Sequence, residues 1–180
     1  LGHVQYHPQR EEIFYVWETG GYAPQRSWLV NADGSGNRPF YASTAPAKWY
    51  TQQKEWLTHE SWVSRTGAMT MIMSEQGILL VQPSGEWKMI FEGRYWHVHA
   101  RADGKVIVAD DQQGRIWLGN VETGDLRLLV SNYRRAVPSL HAHAAFSSSG
   151  RYIVFNDGNR HASVSYIDLA QVSLPEWFRP

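Results

Sequence analysis

The histidines are the residues of this chain best suited to chemistry. Two of them, His141 and His143, lie two positions apart in the stretch SLHAHAAFSSSGRYIVF. Side chains two positions apart on a β-strand share a face, so this spacing is typical of a pair of metal ligands. A His-x-His pair also arises from strand packing alone. The positions of the other histidines must decide between these two interpretations.

Five of the eight histidines occupy one recurring window of the sequence. The window lies seven to nine residues before a glycine that opens a strand: His59 before Gly67, His97 before Gly104, and His141 and His143 before Gly150. His3 and Gln5 occupy the corresponding window ahead of Ile13. If the repeats are structurally equivalent, side chains far apart in sequence become neighbours in space.

Three imidazoles with open coordination positions suit a transition metal such as Mn, Fe or Zn. We therefore predict that His97, His141 and His143 bind one divalent ion. The alternative is that these histidines hydrogen-bond to neighbouring backbone. His59 is predicted to act as a general base, since an unperturbed imidazole pKa lies close to neutrality. Glu60 should point to the opposite face and be solvated.

Arg26 and Tyr22 are further candidates for catalysis. Arg26 begins a strand after the glycine-containing loop ETGGYAP, where a fixed guanidinium could bind a substrate carboxylate through two hydrogen bonds. An ordinary surface ion pair is the alternative for this arginine. Tyr22, on that loop, could stack on a sugar or transfer a proton. His3 and Gln5 are predicted to contact substrate.

The remaining three histidines, His7, His99 and His161, have no such placement. We expect each of them to be structural or solvated.

Short β-rich runs separated by turn sequences must position these side chains. Four units of strand, turn and strand begin near Ile13, Met69, Lys105 and Arg151. Their average separation of about 46 residues is near that of a four-stranded β-propeller blade. We predict an all-β fold in which residues 1–180 form one partial propeller domain of about four blades, the C-terminal half of a larger ring. A β-sandwich is the alternative, but it would not explain the repetition.

Composition excludes several classes of protein. The seventeen basic and seventeen acidic residues give no net charge, so electrostatic attraction does not favour binding to nucleic acid or to an anionic membrane surface. No apolar run approaches the roughly 20 residues needed to span a bilayer. The absence of cysteine rules out disulfides and thiolate metal sites. The chain begins with neither Met nor a signal peptide, and we expect it to be a piece of a longer protein.

Several motifs, in order, resemble the C-terminal half of oligogalacturonate lyases: GHVQYHP, EIFYVWETGGYAPQRSWLVNADGSG, HESW, WHVHARADGKVIVADD and HAHAAFSSSGRYIVF. These are seven-bladed propeller enzymes of pectin breakdown. The resemblance implies that His97, His141 and His143 bind a metal, manganese in the family, with zinc or calcium as alternatives. It also implies that His59 is the base and that Arg26 contacts substrate.

The resemblance implies cleavage of uronic-acid oligosaccharides by metal-assisted β-elimination. Pro138 stands where the family has a metal-ligating Gln, and the segment STAPAKWYTQQKEW is unlike the family. Alternatives are therefore a lyase for another uronate polymer, such as ulvan, and a non-catalytic interaction module. An oligogalacturonate lyase implies a cytoplasmic location, and action on a polymer implies a periplasmic or secreted one. The expected partners are the missing upstream blades or further copies of the chain.

Overall fold

The computed structural model describes residues 2–17, 25–42, 55–131, 141–158 and 162–178. Within these ranges the chain folds into fifteen β-strands and two short 3-10 helices, at Leu169–Gln171 and Glu176–Phe178. No membrane-spanning helix is found in these ranges.

The strands of the described residues form four antiparallel sheets, each built from strands consecutive in sequence. The first sheet contains β1 (Gly2–Tyr6), β2 (Glu12–Val16), β3 (Ser27–Asn31) and β4 (Arg38–Pro39). The second contains β5 (Leu57–Trp62), β6 (Met69–Met73), β7 (Gly77–Val81) and β8 (Trp87–Glu92). The third contains β9 (Tyr95–Ala100), β10 (Val106–Asp111), β11 (Ile116–Asn120) and β12 (Leu126–Val130). The fourth contains β13 (Ala145–Phe146), β14 (Tyr152–Gly158) and β15 (Ala162–Asp168).

The sheets stack face to face, which explains why the second strands of the two internal sheets, β6 and β10, are buried on both sides. In β6, Met69 and Met71 pack with the first sheet, whereas Ile72 packs with the third. In β10, Val108 packs with the fourth sheet and Ile107 with the second. Each side chain of this size contributes roughly 1.5–3 kcal/mol when fully buried. Stacked four-stranded antiparallel sheets are propeller blades, so the predicted partial propeller is confirmed.

The two terminal sheets carry exposed apolar side chains. Val164 and Tyr166 of the fourth sheet are 72% and 70% exposed, and Val4 of the first sheet is 63% exposed. Each open face corresponds to the face that an internal blade buries against its neighbour. Exposed apolar faces of this kind mark interaction surfaces.

Candidate metal centre

The first strands of the second and third sheets, and the segment that leads into β13, bring four imidazole rings together. The ring centroids lie 4.1 Å apart for His59 and His97, and 3.6 Å apart for His97 and His143. His141 lies 5.4 Å from His97. We call these four residues the histidine cluster. The repeat window predicted this convergence from residues up to 84 positions apart, His59 to His143.

A backbone irregularity turns His59 into the cluster. The pairing of β5 with β6 shifts register between Thr58 and Ser61, and His59 has a left-handed backbone with φ of 54°. A regular strand would turn its side chain to the other face. The bulge therefore returns His59 to the side of the strand that faces His97. His3 and His143 have the same left-handed backbone, with φ of 49° and 46°.

Asp110 orients His97. The two residues are directly opposite each other on β10 and β9, and Asp110 Oδ1 lies 2.7 Å from His97 Nδ1. The second carboxylate oxygen accepts the Ala144 backbone N–H at 3.3 Å. With Nδ1 protonated, His97 presents Nε2 as a lone-pair donor. That atom is buried and hydrogen-bonds with none of the described groups.

The sequence analysis missed Asp110. The one signal was an acidic residue near the end of the apolar run KVIVADD. Carboxylates placed behind a histidine in this way are typical of metal sites.

Burial keeps the rings of His59, His97 and His143 neutral. It lowers the pKa of both His59 and His97 to about 3, and neighbouring imidazoles add to the effect. The pKa of His143 is also lowered, mainly by burial. Burial raises the pKa of Asp110 to about 7. Neutral imidazoles with accessible lone pairs are the form that binds metal ions and accepts protons.

The chemistry of the donors fits a divalent transition metal. Among the described residues, His59, His97 and His143 each offer a ligand atom, and these atoms all lie within 4.8 Å of one another. A bound ion would also give His97 Nε2 the partner that it lacks. Three nitrogen donors suit Mn, Fe or Zn and disfavour Ca, which prefers oxygen.

The predicted ligand set was His97, His141 and His143. The structure places His97 and His143 together, with His59 beside them. The His141 ring packs on Trp96, with centroids 3.6 Å apart, although it remains within 5.8 Å of the His143 ring.

Glu60 is buried rather than solvated, so that part of the sequence interpretation is wrong. The residue is 8% exposed, and its Oε2 lies 2.6 Å from His3 Nδ1. Gln5 Nε2 donates to the Glu60 carbonyl at 2.9 Å. The bulge at His59 changes the phase of the strand, which is why simple alternation misplaced Glu60. His3 and Gln5, predicted to contact substrate, therefore join the first blade to the second beside the histidine cluster.

Arg26 is also buried, at 3% exposure, which contradicts a surface ion pair. Its Nε donates to the Leu57 carbonyl at 3.1 Å, and its guanidinium lies 4.5 Å from the centre of the Trp56 ring. Leu57 is two positions before His59 in sequence, so Arg26 is held against the strand that carries His59. Tyr22, Pro138 and His161 lie outside the described residues.

His7 and His99 have structural contacts, as predicted. His7 is 2% exposed, and its Nδ1 accepts the Gln9 backbone N–H at 3.0 Å. His99 Nδ1 accepts the Phe146 backbone N–H at 3.3 Å.

A small cavity opens beside the histidine cluster. It has a volume of about 220 Å³ and lies between the second and third blades, with His59 and Trp96 in its wall. His141 does not line it. A larger cavity of about 670 Å³ lies elsewhere, where the turns around Arg101 and Ser149 meet the C-terminal segment that contains Phe178.

Together these features define a partial β-propeller with a histidine cluster that could hold a divalent ion. Among solved structures, the chain resembles an oligogalacturonate lyase in complex with manganese, with a TM-score of 0.74 and 21% sequence identity. The alignment covers 98% of this chain and 49% of that one. An oligogalacturonate lyase from Vibrio parahaemolyticus gives a TM-score of 0.71 and 19% identity, with 99% and 50% of the two chains covered.

A putative TolB from Agrobacterium tumefaciens also shares the fold, with a TM-score of 0.65, 12% identity, and coverage of 94% of this chain and 58% of that one. At these identities the comparisons show the fold, and the chain spans about half the length of the lyase structures. No protein-family model and no curated protein matches the chain.

Proposed function

We propose that this chain is the metal- and base-bearing half of a lyase that cleaves uronic-acid glycosides by β-elimination, with oligogalacturonate as the favoured substrate. The observation that carries the proposal is the histidine cluster, in which neutral imidazoles converge and Asp110 fixes the ring of His97. The likeness to two oligogalacturonate lyase structures supports this choice among propeller functions.

The reaction needs a cation near the substrate carboxylate, because removal of the C5 proton puts negative charge on that group. We assign the ion to His97, His143 and His141, with manganese as the expected metal. When bound, the ion would neutralise the substrate carboxylate and stabilise the enolate-like transition state. Arg26, held against the strand of His59, would supply a second positive charge.

We assign His59 as the base that takes the C5 proton. His59 lies at the boundary between the histidine cluster and the 220 Å³ cavity. It therefore borders both the residues that would hold the ion and a space where a sugar could lie. The proton passes to His59, the C5–H electron pair forms the C4–C5 double bond, and the C4–O bond breaks with its electron pair on the leaving oxygen. That oxygen takes a proton from solvent, and an unsaturated sugar results. His141 packs on Trp96 and does not line the cavity, so it is worse placed than His59 for proton transfer to or from a sugar there.

Hydrolysis is a less favoured reaction than β-elimination for this site, because glycoside hydrolases generally use two carboxyl groups that flank the glycosidic bond. The buried carboxylates near the cluster have other partners. Asp110 bonds to His97, and Asp111 accepts from Arg115 Nε at 2.6 Å. Glu75 is the one carboxylate among the described residues that line the cavity.

The proposal is tested by incubating the protein and Mn²⁺ with oligogalacturonate, ulvan oligosaccharides and neutral galactan. The measured quantity is the ultraviolet absorbance of unsaturated uronates. We expect absorbance to rise with a uronate substrate, and His59→Ala to lower turnover by about 10²- to 10⁴-fold.

His99→Gln is the matched control, because it changes a histidine outside the cluster and keeps an acceptor for Phe146. Absence of product from every uronate, with metal bound, would reject the lyase assignment and favour an interaction module.

A further inference from the structure

The cavity beside His59 has walls suited to a sugar. The second blade and the third blade each supply one side. Besides His59, the cavity is lined by hydroxyl, amide and aromatic side chains: Thr58, Ser74, Gln112, Trp56, Tyr95 and Trp96. The surface that lines the cavity is mostly polar, so these groups offer hydrogen bonds to sugar hydroxyls and little apolar surface for stacking.

The cavity volume limits the size of the occupant. Pockets for drug-sized molecules usually enclose about 300–1,000 Å³. A cavity of about 220 Å³ therefore fits a single sugar unit better than a longer stretch of a saccharide chain.

An exposed ion pair supplies the charge at this cavity. Arg94 and Glu75 both line it, and Arg94 Nη2 lies 2.5 Å from Glu75 Oε2. Their side chains are 72% and 56% exposed, so solvent weakens the attraction. A second carboxylate arriving from solution could therefore take the place of Glu75 on the guanidinium.

The backbone at Glu75 is unusual for its residue type. Its φ is 66°, in the left-handed region where Gly or Asn is favoured. Strained positions persist where the surrounding structure holds them, and they cluster at functional sites. Here the turn between β6 and β7 places a carboxylate opposite Arg94.

We propose that this cavity is a binding subsite for one uronate unit, in which Arg94 binds the sugar carboxylate and Glu75 competes with it. The inference rests on the proposed function, because it identifies an anionic sugar as the occupant beside the base. Arg94 would distinguish uronates from neutral sugars. Glu75 would hold Arg94 in place in the free protein and favour release of product.

The test compares Arg94→Gln and Glu75→Gln by calorimetric titration with trigalacturonate and with its carboxyl-reduced, neutral counterpart. Arg94→Gln should weaken trigalacturonate binding about five- to tenfold, because a charge-assisted hydrogen bond is lost. Glu75→Gln should strengthen it about two- to threefold, because the competing carboxylate is removed. The exposed residues Arg127 and Glu122 give matched charge controls as Arg127→Gln and Glu122→Gln, neither of which should change affinity.

Opposite effects of the two variants separate this proposal from a structural role of the ion pair, since loss of a structural pair would act in the same direction in both. Equal weakening in both variants, unchanged affinity in Arg94→Gln, or no binding of trigalacturonate by the wild type would overturn the subsite. Binding with the predicted pattern but without elimination would keep the subsite and reject the lyase. Elimination with no effect of Arg94→Gln on KM would keep the lyase and reject the subsite.

Discussion

Asp110→Asn tests whether the carboxylate behind His97 sets the affinity for the metal. Asp110 Oδ1 lies 2.7 Å from His97 Nδ1, where an ionised carboxylate accepts the imidazole N–H, and both residues are buried. An amide at this position either accepts a weaker hydrogen bond or turns its NH₂ group toward Nδ1, which favours the wrong tautomer. Loss of such a partner typically costs 10- to 100-fold in metal affinity.

The size of the effect on stability follows from linkage. At a Mn²⁺ concentration 100 times the wild-type Kd, the metal stabilises the folded state by about 2.7 kcal/mol. A tenfold weaker site at the same concentration gains about 1.4 kcal/mol, and a hundredfold weaker one about 0.4 kcal/mol. Metal-induced stabilisation of Asp110→Asn should therefore fall to about half of the wild-type value or lower.

The assay is calorimetric Mn²⁺ titration together with urea unfolding, with and without metal. Asp103→Asn is the matched control, because Asp103 pairs with Arg101 in the same blade, outside the cluster. Affinity in Asp110→Asn within twofold of wild type, while His97→Ala loses binding, would refute the role assigned to Asp110.

Three further predictions concern the ligand set, pH and assembly. His141→Ala should lower Mn²⁺ affinity more than tenfold, and His59→Ala should leave the metal content unchanged, as measured by elemental analysis. Loss of metal in His59→Ala together with normal metal content in His141→Ala would make His59 a ligand. Burial lowers the pKa of both His59 and His97 to about 3 and also lowers that of His99, whereas it raises the pKa of Asp110 to about 7. The three histidines outnumber the one carboxyl group that acts in the opposite direction, so the unfolded chain binds more protons than the folded chain below about pH 6.5. The free energy of unfolding of the metal-free protein, from urea titration, should therefore fall as pH drops below that value, and His59 contributes up to about 1.4 kcal/mol per pH unit. A free energy of unfolding that is independent of pH would contradict this. The open face that carries Val164 should drive self-association or capture of upstream blades, and Val164→Lys should weaken this association. Sedimentation of the wild type as a stable 20.6 kDa monomer would argue against association through this face.

The sequence predicted the fold because the strand and turn pattern repeats. Runs such as KVIVADD and GILLVQPSGEW fit strands and turns without tertiary information. The repeat also placed the histidines, because equivalent positions of successive blades converge in any propeller.

The details of the site depend on local backbone that no such pattern encodes. His59 enters the cluster through a bulge and a left-handed φ, and the same bulge buries Glu60. The sequence predicts only that Asp110 lies at the end of a strand, and the pairing of β10 with β9 is what places it opposite His97. Arg26 becomes buried only when the second blade packs on the first.

The central claim is that one ion at the histidine cluster supports elimination of a uronate. The most direct measurement is the rate of unsaturated-uronate formation from oligogalacturonate, by ultraviolet absorbance, as Mn²⁺ is titrated into chelator-stripped protein. The account predicts no product without metal and a rate that rises linearly to a plateau at one ion per chain, lost in His97→Ala. Full activity in the stripped protein, or equal activity in His97→Ala, would contradict it.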